Sequence, residues 1–171
     1  MRYTADYWMH HLQLAPHPEG GAFRQTYVAP LTLRREALPA TFSGDRAAAT
    51  HIYFLLRNGD YSAFHRLAAD EIWHFYSGDN VLIHEIREDG ALHTHRLGAA
   101  PEAGADFHAV VTAGSWFGAE VAPGGAYALV GCTMAPGFDF ADFELAHRGS
   151  LARRFPEHLE LIARLTPAPA T

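Results

Sequence analysis

A chain of 171 residues is long enough for one domain that buries most of its apolar surface. Its 49% hydrophobic content and mean hydropathy of −0.10 are those of a soluble globular protein. A formal net charge of −6 speaks against a nucleic-acid or anionic-membrane partner. All 13 basic residues are arginines, which excludes Schiff-base lysine chemistry and a phosphate-loop lysine. The lone cysteine, Cys132, excludes an intrachain disulfide and any multi-cysteine metal site, and reads as a buried core thiol. No basic region followed by an apolar run opens the chain, and no apolar stretch approaches the ~20 residues that span a bilayer. A cytoplasmic location is expected.

In chain order, residues 4–12 predict a short helix with Thr4 as N-cap. A turn follows, built from Pro16, Pro18, Gly20 and Gly21. Residues 21–29 alternate as a strand, and 30–46 read as an irregular surface loop. Residues 50–56 form a β-type run that ends at the turn dipeptide Asn58-Gly59. Strands over 61–67 and 71–76 flank the turn Ala68-Ala69-Asp70 as a hairpin. Further strands are predicted over 81–87, 91–97, 107–111, 115–121, 126–134 and 138–145. Residues 150–165 take helical spacing, with Leu159, Ile162 and Leu165 as the apolar stripe and Phe155-Pro156 as an interruption. The last residues, 167–171, are expected to fray. Nine or ten short strands at even spacing predict an all-β barrel or sandwich.

The 61–76 hairpin carries the chemistry. Side chains alternate along a strand, so His65 shares a face with Leu67, and Glu71 shares one with Trp73 and Phe75. A register that puts His65 and Glu71 on one face brings an imidazole and a carboxylate together over aromatic rings. That combination suits acid–base work or metal ligation in a dry pocket. No glycine-rich phosphate loop appears, and Gly114-Ser115-Trp116-Phe117-Gly118 fails the hydrolase elbow pattern. His93 and His95 read as an exposed strand face, and His10-His11 as a solvated helix end. His51 and His84 read as core histidines bonded to backbone.

From Gly59 through His65, Leu67 and Glu71 to Gly78, the spacing resembles the first cupin motif, G-x5-H-x-H-x3,4-E-x6-G, with Leu67 at the second histidine. Residues 110–117 resemble the second motif, with Gly114 in place but Thr112 at its proline and Phe117 at its histidine ligand. The segments His17-Pro18-Glu19-Gly20-Gly21, Phe23-Arg24, 52–56, 62–67, 70–74, 114–117 and 135–143 follow in the order of the cupin type-five family, a domain of unknown function. The resemblance implies an all-β, cupin-type jelly-roll barrel with short N- and C-terminal helices. It would be a single domain over 1–171, with a barrel core of about 21–145 and a C-terminal helical segment of about 150–165. It also implies a homodimer and a small-molecule pocket at the barrel mouth. In the rhamnose-pathway epimerases of the superfamily a histidine at the first motif position is the base, and His65 falls there; their acid tyrosine has no counterpart here by motif.

The expected function is therefore a small-molecule-binding cupin, a metal-independent isomerase or epimerase on a sugar-like or other small polar substrate. His65 would be the base and Glu71 would orient or polarise. Phe54, Trp73, Phe75 and Trp116 would wall the pocket. His17 and Glu19 would reach it from their turn, across a dimer interface. Arg24 would hold a ligand carboxylate or phosphate, or pair with Asp139 or Asp142. No cofactor is expected. A divalent metal on His65 and Glu71, with His51 or His74 added for oxygenase or isomerase chemistry, is the rival and is disfavoured by Leu67 and Phe117. A non-catalytic sensor is the third reading.

Overall fold

The computed structural model describes residues 3–168. Helix α1 (Ala5–His11) starts where Thr4 Oγ1 accepts the Tyr7 N–H at 3.2 Å. The strands follow as β1 (Ala15–Pro16), β2 (Ala22–Val28), β3 (Thr32–Leu33), β4 (Arg46–Ala47), β5 (Thr50–Arg57), β6 (Tyr61–Leu67) and β7 (Glu71–Gly78). After them come β8 (Val81–Ile86), β9 (Leu92–Leu97), β10 (His108–Val111), β11 (Trp116–Val121), β12 (Tyr127–Met134) and β13 (Phe143–Leu145). Helices α2 (Arg148–Arg154) and α3 (Leu159–Arg164) close the chain, parted at Phe155-Pro156 as the interruption predicts. No helix among the described residues is long and apolar enough to cross a membrane.

Six strands in the order β1-β2-β5-β12-β7-β10 make one antiparallel sheet, and β13-β6-β11-β8-β9 make the other. The two sheets enclose the main core, where Phe54, Trp73 and Val130 meet Ile83, Phe117 and Ala119. This is a jelly-roll arrangement. The outer face of the five-stranded sheet is covered too. There Phe64, Ile86 and Trp116 pack under Leu151, Phe155, Ile162 and Leu165 of the C-terminal segment. Helix α1 covers Leu55 and Leu129 on the other sheet through Trp8 and Leu12. Buried on both faces, β6 reads as a nearly unbroken buried run rather than an alternating one.

Two stretches depart from expectation. The loop over 30–46 contains a small two-stranded sheet, β3 with β4, fixed by a buried ion pair. Arg46 Nε and Nη2 both donate to Asp142 at 2.6 Å. The strand predicted over 138–145 shrinks to β13, because the Asp139 carboxylate accepts the Ala141 N–H at 2.8 Å and bends Phe140–Asp142 into a 3-10 turn.

Candidate functional site: a buried acid–base cluster at the barrel mouth

The site is built on β6. Its neighbours β11 and β13 set Phe117 and Leu145 opposite His65. The His65 ring is 1% exposed and lies against Phe117 and Phe143, with centroids 4.1 and 5.2 Å away. His65 Nδ1 is 2.7 Å from the Ala63 carbonyl oxygen, which can only accept, so Nδ1 carries the proton. In the neutral ring Nε2 is then a bare lone pair, 3.4 Å from Glu19 Oε2.

Glu19 arrives on the His17-Pro18-Glu19-Gly20-Gly21 turn. Its carbonyl accepts the Ala63 N–H at 2.8 Å, which docks the turn onto β6 of the same chain. The approach is so close that a Cβ on Gly20, at φ 108°, would stand 2.1 Å from the Tyr61 carbonyl oxygen, so only glycine fits. Ser62 Oγ donates to Glu19 Oε1 at 2.8 Å. His17 Nδ1 accepts the Glu19 N–H at 3.3 Å, and its ring stands edge-on to Phe23. Glu71 opens β7 and lies opposite Met134 and Val111. Its Oε2 accepts the Trp73 indole N–H at 2.7 Å, and Cys132 lines the same part of the cavity.

Burial decides the charges here. It pushes Glu71 up to about 7, helped by repulsion from Glu19 and opposed by His65, the Trp73 indole and Cys132. Glu19 is raised by the same burial, against the pull of His17 and Ser62. Burial holds His65 and His17 below the ordinary histidine value, although Glu71 attracts the first and Glu19 the second. Near neutral pH the imidazoles are largely uncharged, and Glu71 is protonated in part. A base and an acid thus stand together in one buried cluster.

This cluster opens into a cavity of about 450 Å³. Phe23, Phe54, Ile52, Leu67, Met134 and Phe138 give it hydrocarbon walls. Phe140, Gln13, Gln25 and Arg24 are exposed or half-exposed and form its mouth.

The family described as Cupin superfamily (DUF985) matches residues 6–146. The chain belongs to this family. A hypothetical protein from Leishmania major is similar to this cupin over 97% of the chain and 100% of its own length, at 32% identity and a TM-score of 0.88. A protein from Shewanella oneidensis matches at 36% identity over 96% of the chain and 98% of its own, with a TM-score of 0.86. Oxalate decarboxylase from Bacillus subtilis shares the fold alone, at 15% identity and a TM-score of 0.52 over 88% of this chain and 36% of its own. No curated protein matches the sequence.

Cupin folds commonly hold a metal on histidines and a glutamate, and the donor set of this cupin does not fit one. Leu67 and Phe117 stand where two imidazoles would be, the first a cavity wall and the second a ring packed on His65. Among the described residues no group of three or more His, Cys, Asp and Glu could hold a metal ion. His51 and His74 face away from the cavity, on the outer side of the six-stranded sheet. There His51 bonds Thr26 and Tyr76 side chains, and His74 bonds Thr133.

His17, Glu19, Arg24, Phe54, His65 and Glu71 all line the cavity. His17 and Glu19 line the cavity of their own chain. Trp73 stands behind the wall, edge-on to Phe54, and acts through its bond to Glu71. Phe75 packs against the core further along β7. Trp116 is outside the site altogether, under the C-terminal helices with Arg66 4.8 Å over its ring. Arg24 pairs with neither Asp139 nor Asp142; it donates to Gln13 Oε1 at 3.4 Å. His84 bonds the Thr94 and Glu120 side chains rather than backbone. Sequence reasoning missed Cys132 and Met134, which share the inward phase of β12 and could have been found from it. It also missed Phe138, Phe140, Gln13 and Gln25, whose place depends on the fold.

Proposed function

We propose that this cupin is a metal-independent isomerase or epimerase that moves a proton next to a carbonyl group in a small molecule. The observation that carries the reading is the contact of His65 Nε2 with the Glu19 carboxyl, beside a Glu71 held near neutral pH, at the buried end of the cavity. His65 Nε2 takes the proton from the carbon next to the carbonyl. A protonated carboxyl, Glu19 or Glu71, gives its proton to the carbonyl oxygen, and an enol forms. Where the deprotonated carbon carries a hydroxyl, the imidazolium returns its proton to the former carbonyl carbon while that second hydroxyl gives its proton to the carboxylate, and the carbonyl has moved. Return to the opposite face of the same carbon, with the enol oxygen's proton passing back to the carboxylate, gives the epimer. A base whose proton affinity lies near working pH suits this step, and the apolar walls strengthen its electrostatics by keeping water out.

The test is deuterium uptake. Small carbonyl compounds are incubated with the protein in heavy water and weighed by mass spectrometry, with metal content measured on the same sample. Protein-dependent uptake is expected, falling about 10²-fold or more in His65→Ala and strongly in Glu71→Gln. Uptake that survives His65→Ala sinks the reading. So does near one metal per chain that disappears in His65→Ala. Ligands that shift the unfolding temperature with no uptake by any compound would leave a binding module instead.

A further inference from the structure

We infer that the cavity takes a small organic acid, its carboxylate on Arg24 at the mouth and a flat or branched apolar body between the phenyl rings. The inference rests on the cavity being the substrate site and names what enters it. Charge is the first argument. Arg24 is the one cationic side chain among the described residues that line the cavity. Five other arginines, Arg34, Arg46, Arg57, Arg66 and Arg164, sit within 3.1 Å of carboxylate oxygens. Arg24, in a chain of net charge −6, pairs with no carboxylate among the described residues and has only the Gln13 amide at 3.4 Å. A guanidinium left this way on a cavity rim, beside the amide of Gln13, presents a planar fork to an incoming carboxylate.

The direction of entry follows from the other groups. Glu19 and Glu71, both buried, occupy the deep part of the cavity, where a second negative charge would be repelled. The acid end therefore stays at the rim, and the reacting carbonyl lies inward. The walls select the body. Phe23, Phe54, Ile52, Leu67 and Phe138 offer no hydrogen bond, so a sugar would leave several hydroxyls stripped of water and unpaired. An aromatic or branched hydrocarbon loses nothing there. Phe140 is 55% exposed at the rim, 6.4 Å from the His17 ring and nearly parallel to it, and stands ready to cover such a body. The 450 Å³ volume sits low in the ~300–1,000 Å³ range of ligand pockets, which sets a small molecule.

Calorimetric titration of the full chain tests this with phenylpyruvate, 4-methyl-2-oxopentanoate, phenylpyruvate methyl ester, glucuronate and inorganic phosphate. The two apolar oxo acids are expected to bind, and the ester, glucuronate and phosphate to bind at least about tenfold more weakly. Arg24→Met, which removes a half-exposed side chain with one weak bond, should keep the unfolding temperature. It should weaken the acids about tenfold or more while leaving the ester unchanged. Equal binding of acid and ester, unchanged acid affinity in Arg24→Met, a preference for glucuronate or phosphate, or no binding of either oxo acid overturns the inference. Deuterium uptake separates it from the reading it rests on. Arg24-dependent binding without uptake retires proton transfer and keeps the acid site. Uptake confined to neutral carbonyl compounds keeps proton transfer and removes the acid site.

Discussion

Glu71 is a carboxyl whose value in the folded chain, about 7, lies above the 4.5 of an unperturbed group. Such a group favours the fold only while it is protonated. Its contribution is complete below about pH 4.5 and is lost as the pH rises to about 7. Glu19, raised in the same direction, adds to this loss. His65 and His17 act oppositely: held below 6.5, they favour the fold above that value and oppose it as the pH falls. Glu71→Gln keeps an acceptor for the Trp73 indole and removes the titration. Its stability relative to the natural chain should therefore improve between pH 5 and pH 8 by about 2 kcal/mol, read from urea midpoints at the two values. An equal gap at both pH values would mean that Glu71 is not held protonated. The residue types at this site were legible in the sequence, because the glycine-bounded hairpin pairs one histidine with one glutamate. The Glu19 contact was only half legible. The turn's glycines announce a close approach, but the partner, Tyr61, lies 41 positions on.

At the scale of elements, alternation gave most strands and misled where both faces of a sheet are covered. Trp116 and Phe117 are adjacent and both buried, so hydrophobicity cannot tell which faces inward. The helices over the outer face made Trp116 as apolar a position as Phe117, and β11 carries an irregularity just past it. The segment after β12 shows the same limit, since one Asp139 side-chain bond outweighed an alternating pattern of phenylalanines. The β3–β4 sheet was invisible for another reason: its anchor joins positions 96 apart. Arg46 and Asp142 are 5% and 3% exposed, so removing one partner strands a buried charge. Arg46→Ala should cost about 3 kcal/mol, measured by denaturant unfolding. Arg46→Met with Asp142→Leu should recover most of it. A loss below about 1 kcal/mol in the single variant would show that water replaces the guanidinium freely.

On the scale of the whole molecule, the C-terminal segment belongs to the barrel it follows. The Leu165 carbonyl accepts the Phe64 N–H at 2.8 Å, one residue before His65, and Ala146 N–H donates to the Phe64 carbonyl at 2.8 Å. Ile162, fully buried, packs with Phe64 and Trp116 on the side of β6 away from the cavity. Ile162→Ala should lower stability by about 2–4 kcal/mol while ligand affinity stays within about twofold, because the cavity wall is made by the opposite face. A large affinity loss at full folding would instead tie the helices to the site. The helical spacing of 150–165 made these helices legible, whereas the strand they cover could be found only from the fold.

Cys132 is the one thiol of the chain, and it sits in the wall of the cavity, 4% exposed. Burial and the nearby carboxyls raise it well above the ordinary thiol value, so little thiolate forms there. The fold has thereby placed a slow chemical clock behind its own door. An alkylating reagent marks the chain at the rate at which the interior admits it, and an occupant of the cavity stops the clock.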